Sequence, residues 1–114
     1  MKSAYAVALD LVLVIAFAAL GRRSHEHGVT LAGVLQTAWP FLVGAAAGWL
    51  LGLVVRLEPA TWQFGAVVVA GTVVVGMLLR QLTGAGTAWS FVAVASLVLS
   101  LLLLGWRLVA ARLG

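Results

Sequence analysis

Asp10 is the residue whose type and position most clearly indicate chemistry, because it lies within an apolar run from Ala4 to Leu20. A charged carboxylate at the bilayer centre costs about 2.5–3.5 kcal/mol on insertion scales, and less nearer the surface. Asp10 is therefore either protonated or paired with a cation. Arg107, in the last apolar run and near the same membrane surface, is the best partner. We predict an Asp10–Arg107 ion pair; a proton or ion relay and a carboxylate that reaches the membrane surface are the alternatives.

The stretch "LGRRSHEHG" at residues 20–28 concentrates polar side chains directly after that apolar run. Further polar residues flank a later loop, which lies on the same side of the predicted fold. Arginine pairs bind phosphate groups bidentately, and hydroxyl groups add hydrogen-bond donors. We therefore expect an anionic lipid head group or a small anionic solute to bind here, with nonspecific head-group contact as the alternative. The predicted binding residues at this end are Arg22, Arg23, Ser24, His25, Arg80, Thr87 and Ser90.

A metal site in the same stretch would have an incomplete ligand set. His25 and His27 with Glu26 lack the further ligands of a usual zinc site, and the chain contains no cysteine. We expect no metal and no cofactor. The sequence also shows no nucleophile accompanied by a base and an orienting group, so we expect no enzymatic activity.

Composition indicates that most of the chain is surrounded by lipid. Hydrophobic residues make up 64% of the 114 residues and charged residues only 9%. A soluble domain has about 25% charged residues. The net charge of +4 comes from basic residues that flank apolar runs, which is typical of anchoring at the membrane interface. No basic surface with interleaved aromatic residues is present, so we expect no nucleic-acid partner.

Four apolar runs are each long enough to cross a bilayer as a helix, since a span needs about 20 residues at a rise of 1.5 Å per residue. A barrel would need alternating polar and apolar residues, which these runs lack. We predict an all-α polytopic membrane protein, a four-helix transmembrane bundle of two helical hairpins, in one domain over residues 1–114. The predicted helices are about 4–20, 38–55, 62–79 and 88–108.

Glycine, proline and threonine residues mark the predicted helix ends. Gly21 ends the first helix, and Pro40 fits the start of the second, where proline costs little. Pro59 stops the second helix, and Thr87 is the predicted N-cap of the fourth. Most of the tryptophans lie near helix ends, as interface anchors do, but Trp49 lies deeper.

The second apolar run contains glycines at every fourth position, in the pattern G-x-x-x-G-x-x-x-G. This spacing places them on one stripe, which lets another helix approach closely and gain van der Waals contact. We predict that the stripe packs against small residues of the third helix, and a homodimer interface is the alternative. The predicted packing glycines are Gly44, Gly48 and Gly52 on the second helix and Gly65 and Gly76 on the third.

An even number of spans places both termini on one side of the membrane. That side carries Lys2, Arg56, Arg107 and Arg112, against Arg22, Arg23 and Arg80 on the other. This bias of four to three is small, and on it we expect a multi-pass protein of the cell membrane with cytoplasmic termini. The pair Gly48-Trp49 recurs as Gly105-Trp106, which indicates either an internal duplication or a chance similarity of apolar segments.

Several segments together carry a resemblance to a known family. They are Asp10 with "FAALGRRSH" at 17–25, "TAWPFLVG" at 37–44, Gly48-Trp49, and "GMLLR" at 76–80 leading to Ser90-Phe91. In these the chain resembles a family of small membrane proteins catalogued as domain of unknown function number three thousand and fifty-four. The resemblance covers most of the chain and implies membership, but it implies no activity.

The architecture is also similar to that of small multidrug-resistance transporters, which have about this length, four helices and one acidic residue in the first. They exchange protons for cationic drugs as antiparallel dimers. This likeness implies proton-coupled export of cations, centred on Asp10, as an alternative function. The usual neighbours of that acid are absent here, and Arg107 would neutralise a cation site. A structural accessory subunit of a membrane complex is a further alternative.

Overall fold

The computed structural model describes residues 2–22 and 30–114. These residues form four helices and no strand: α1 (Ser3–Arg22), α2 (Leu31–Val54), α3 (Trp62–Leu82) and α4 (Trp89–Leu113). Each described helix is long and apolar enough to cross a membrane. The all-α, polytopic four-helix fold is therefore confirmed, and the protein is a multi-pass membrane protein.

The start of α2 differs from the prediction, which placed Pro40 in the first turn. The helix begins at Leu31, where the hydroxyl oxygen of the N-cap Thr30 accepts a 3.0 Å hydrogen bond from the amide of Gly33. Pro40 therefore lies inside the helix and is buried. A proline inside a membrane helix is tolerated because neighbouring helices and small backbone adjustments compensate for its missing N–H group.

Two other predicted helix ends were wrong. Gly21 does not end α1, which continues to Arg22. Thr87 does not cap α4, whose N-cap is Ala88 without a side-chain hydrogen bond. The Thr87 hydroxyl instead donates a 2.9 Å hydrogen bond to the side-chain oxygen of Gln81, so it holds the loop to the end of α3.

The prediction that Pro59 stops the second helix was wrong, and a threonine side chain caps the helix that follows. Helix α2 already ends at Val54, and Arg56 follows in the left-handed region with φ of 64°. The hydroxyl of Thr61 donates to the carbonyl of Glu58 at 2.7 Å and accepts from the amide of Phe64 at 3.3 Å. The second bond satisfies a backbone amide that the first turn of a helix leaves unpaired, so α3 begins at Trp62.

Helices α2 and α3 pack with their backbones in contact along the glycine stripe. A Cβ atom added to Gly44 would lie 2.6 Å from the carbonyl oxygen of Gly71, and one on Gly48 would lie 2.8 Å from the Cα of Val68. Farther along the stripe, Gly52 meets the ring of Phe64. The stripe of α2 is therefore covered within the same chain.

The partner stripe on α3 is only partly the predicted one. Gly76 meets the Phe41 ring of α2, but Gly71, which the prediction did not include, makes the closest backbone contact. Gly65 was expected against α2 and instead faces α4, where an added Cβ would lie 2.7 Å from the Cδ of Arg107. Gly65 and Gly76 lie about three helical turns apart on nearly the same face of α3, so they meet different helices because they lie at different heights in the bundle.

The described helices follow one another around the bundle. Contacts are most extensive between α2 and α3, intermediate between α1 and α2 and between α3 and α4, and smallest between α1 and α4. An aromatic cluster of Phe17, Phe41 and Phe91 fills the end near the α3–α4 loop, with ring centroids 5.3–6.4 Å apart. The opposite end contains the polar network described next.

Candidate functional site

A bidentate ion pair joins α1 to α4 inside the bundle. Arg107 donates from Nη1 to Oδ1 of Asp10 at 2.9 Å and from Nη2 to Oδ2 at 2.7 Å. Neither side chain has any solvent-exposed surface. The predicted Asp10–Arg107 ion pair is therefore present in the structure. Its bidentate geometry is the one in which arginine binds carboxylates most strongly.

Two tryptophans complete the surroundings of the carboxylate. The indole Nε1 of Trp49 donates to Oδ2 of Asp10, and that of Trp106 donates to Oδ1, both at 2.8 Å. Each oxygen of Asp10 therefore accepts one hydrogen bond from arginine and one from tryptophan. The deep position of Trp49, which interface anchoring does not explain, follows from this contact.

Arg107 is held on its other sides by backbone carbonyls and aromatic rings. Its Nε donates to the carbonyl of Pro59 and its Nη1 to the carbonyl of Leu103, both at 2.9 Å. The guanidinium carbon lies 4.5 Å from the ring centroid of Trp106 and 5.7 Å from that of Phe64. These rings give favourable cation–π contacts in a site that excludes water.

The network draws on every described helix. Asp10 comes from α1, Trp49 from α2, and Trp106 and Arg107 from α4, while Gly65 of α3 leaves the space for the arginine stem. We call Asp10, Trp49, Trp106 and Arg107 the Asp10 clasp. Because its charges are paired and its carboxylate oxygens are fully hydrogen-bonded, the arrangement favours fastening helices over binding a solute cation.

Arg80 lies at the other end of the bundle and organises the loop between α3 and α4. Its Nε donates to the carbonyl of Gly86 at 3.0 Å and its Nη2 to that of Ala85 at 3.1 Å. The guanidinium carbon stands 4.4 Å above the ring centroid of Phe91. Among the residues that the structure describes, Nη1 of Arg80 makes no hydrogen bond.

The structure brings together only part of the predicted polar end. Thr87 lies in the loop that Arg80 holds, and Ser90 is exposed in the first turn of α4. The side chain of Arg22, and Arg23, Ser24 and His25, lie outside the described residues, so their predicted binding role stays a prediction.

An apolar groove runs between α3 and α4 toward this end. It has a volume of about 450 Å³. Val73, Val74, Met77 and Leu78 line it on α3, and Val92 on α4. Its end near the loop is lined by Gln81, Thr87 and Trp89. The groove is thus apolar along most of its length, and Gln81 and Thr87 make its end near the loop polar.

Two residues of the clasp were missed by sequence analysis. Trp106 lies near a helix end and Trp49 lies in a glycine-rich stripe, and neither position by itself indicates a partner for Asp10. The signal that could have identified them is the repeated Gly-Trp pair at 48–49 and 105–106. Both copies bring an indole N–H group to the same carboxylate.

Metal ligands do not gather in the part of the chain that the structure describes. Residues 2–22 and 30–114 contain no group of three or more histidine, cysteine, aspartate or glutamate side chains that could hold a metal ion. The predicted absence of a metal stays an expectation, and His25 and His27 lie outside the described residues.

Fold and site together define an all-α, multi-pass membrane protein with a buried ion-pair network among its helices. The chain belongs to the family described as "Protein of unknown function (DUF3054)", whose model matches residues 7–110. The resemblance found in the sequence is thus confirmed. No curated protein and no solved structure matches the chain.

Proposed function

We propose that this protein is a non-enzymatic membrane protein that binds the anionic head group of a membrane lipid at the end where α3 meets α4. The observation that carries the proposal is the fixed guanidinium of Arg80. Two carbonyls and the Phe91 ring set its orientation, and its Nη1 donors are unpaired among the described residues. A pre-oriented arginine loses little freedom when it binds a phosphate group.

The neighbouring groove supports a lipid as the ligand. Its apolar wall can accommodate an acyl chain, and its polar end lies beside the loop that Arg80 holds. Ser90, which is exposed in the first turn of α4, offers a further hydrogen-bond donor close in sequence to this loop. Arg22, Arg23, Ser24 and His25 belong to the other loop predicted on this face, and we propose that they add positive charge and donors to the same head group.

The proposal places the protein in the cell membrane with cytoplasmic termini, following the small excess of basic residues on the terminal side. Proton-coupled cation export has less support, because the carboxylate of Asp10 is occupied by Arg107 and two indoles. A homodimer stays a prediction, but the glycine stripe that suggested one is covered by α3.

Native mass spectrometry of the detergent-solubilised protein tests the binding. The probe is phosphatidylglycerol in competition with phosphatidylcholine, and Arg80→Gln is compared with Arg112→Gln, an exposed arginine in the last turn of α4. A hydrogen bond to a charged group contributes about 1.5–3 kcal/mol, so we expect Arg80→Gln to lower the preference for phosphatidylglycerol about tenfold or more. Arg112→Gln should leave that preference unchanged.

Two further arms separate alternative outcomes. Ser90→Ala leaves the loop bonds of Arg80 intact, and a smaller loss of preference in this variant supports a site that uses both residues. If inorganic phosphate competes with the lipid, the phosphate group alone is the ligand. If inorganic phosphate does not compete, the site binds the whole lipid. An unchanged preference in both Arg80→Gln and Ser90→Ala would contradict the proposal.

A further inference from the structure

The interfaces of the bundle differ greatly in how firmly they are joined. The carbonyl of Gly71 and the Cα of Val68, both on α3, lie so close to α2 that even a methyl group at Gly44 or Gly48 would collide with them. The interface between α1 and α4 is the smallest of those in residues 2–22 and 30–114. Any separation of helices therefore meets least resistance between α1 and α4.

From this contrast we propose that α1 and α4 form a lateral seam, which the Asp10 clasp holds shut and whose opening is the conformational change of this protein. The contacts of Asp10 with α4 are directional: two bonds from Arg107 and one from Trp106. Side-chain hydrogen bonds of this kind can break together. The contact between α2 and α3 is instead made by the backbones themselves, so it is lost only when the whole helices move apart.

The other contacts of the clasp residues would keep the two halves intact when the seam opens. Trp49 ties Asp10 to α2, which stays with α1. Arg107 remains bound to the carbonyl of Pro59 in the α2–α3 loop and to that of Leu103 on its own helix. Within the clasp, only the bonds between Asp10 and α4 have to break, and the Phe17–Phe91 ring contact is the further α1–α4 contact that would separate. This inference concerns the opposite end of the bundle from Arg80 and does not rest on the proposed function.

Distance measurements between paired spin labels test the seam directly. The chain contains no cysteine, so labels can be placed on introduced cysteines without removing native ones. Val12 on α1 and Leu101 on α4 are 59% and 65% exposed and report on the seam. Val43 on α2 and Val74 on α3, at 46% and 57%, report on the firmly packed interface as a control.

The variants compare the loss of the tryptophan hydrogen bond from α4 to Asp10 with the loss of the tryptophan hydrogen bond from α2 to Asp10. Trp106→Phe removes the indole bond between α4 and Asp10, and Trp49→Phe removes the equivalent bond from α2 to the same carboxylate. Asp10→Asn, which weakens all of these bonds, is the stronger perturbation. In lipid nanodiscs we expect Asp10→Asn and Trp106→Phe to shift the 12–101 distances to longer values and broaden them. Trp49→Phe should change them less.

The control pair decides between seam opening and general loosening. The 43–74 distances should keep the wild-type distribution in all three variants. If the 12–101 distances stay unchanged in both Asp10→Asn and Trp106→Phe, or if both label pairs widen together, the proposed seam is wrong. Trp106→Phe keeps the decision available if Asp10→Asn does not fold, because it retains the ion pair.

Discussion

At the scale of single residues, Asp10 shows how a carboxylate can be accommodated among apolar helices. Its side chain is fully buried and accepts four hydrogen bonds, two from Arg107 and one from each of two tryptophans. The charge on each partner is stabilised by the other. Removal of either one would leave a buried charge without compensation, which is the costly situation in a protein interior.

A double-mutant cycle on the pair gives a prediction at this scale. Asp10→Asn and Arg107→Gln should each destabilise the protein by about 3–5 kcal/mol, because each leaves its partner unpaired. The double variant should be destabilised by clearly less than the sum, since no charge then remains buried. Thermal unfolding in detergent, with helix content as the signal, measures the three effects. A double variant that equals the sum would show that the two side chains do not interact.

Sequence analysis could predict the ion pair but not the full clasp. Asp10 and Arg107 stand out because charged residues within apolar runs are rare and need partners. Tryptophan has two common roles in membrane proteins, as an interface anchor and as a buried hydrogen-bond donor. The sequence position of Trp106 fits the first role equally well, and only its contact with Asp10 shows the second.

At the scale of helices, backbone proximity between α2 and α3 determines which glycines are essential. Gly48 lies against the Cα of Val68 and the carbonyl of Val67, neither of which can move aside as a side chain can. Gly105 of α4 has no atom within 4 Å of an added Cβ. The two positions therefore form a matched pair of helical glycines with opposite surroundings.

Alanine substitution at these two glycines should have opposite effects. Gly48→Ala should destabilise the protein by about 1–3 kcal/mol or more, because the added methyl group forces the helices apart. Gly105→Ala should be neutral or stabilise it by about 0.5–1 kcal/mol, through the lower backbone freedom of alanine. Unfolding midpoints of both variants in the same detergent make the comparison. Equal destabilisation at both sites would contradict the helix packing described above.

The helices themselves were largely predictable, and their ends were less so. Hydrophobic length and composition identify every span, since a bilayer imposes both. The predicted start of α2 was too late because proline is frequent in the first turn of helices, and Pro40 was placed there. In the structure the side chain of Thr30 caps the helix, so α2 begins much earlier. Gly65 was assigned to the wrong neighbour and Gly71 was not identified, because the sequence spacing does not show which helix each glycine of α3 meets.

At the scale of the whole molecule, the two ends of the bundle are closed by different chemistry. Near the termini the Asp10 clasp joins the first hairpin to the second. At the far end, the Phe17, Phe41 and Phe91 cluster fills the interior and Arg80 covers it. If each of the described helices crosses the bilayer once, the α2–α3 loop and the α3–α4 loop lie on opposite sides of the membrane.

Accessibility of single cysteines in sealed cells is the most direct test of this bilayer arrangement. Glu58→Cys and Ala85→Cys lie in the two loops, and Leu101→Cys lies on the exposed face of α4 within the span. A membrane-impermeant maleimide should label Ala85→Cys from outside and Glu58→Cys only after the cells are opened, and Leu101→Cys should stay unlabelled throughout. Labelling of both loops from the same side, or of Leu101→Cys as rapidly as the loops, would contradict a chain that spans the bilayer through these helices.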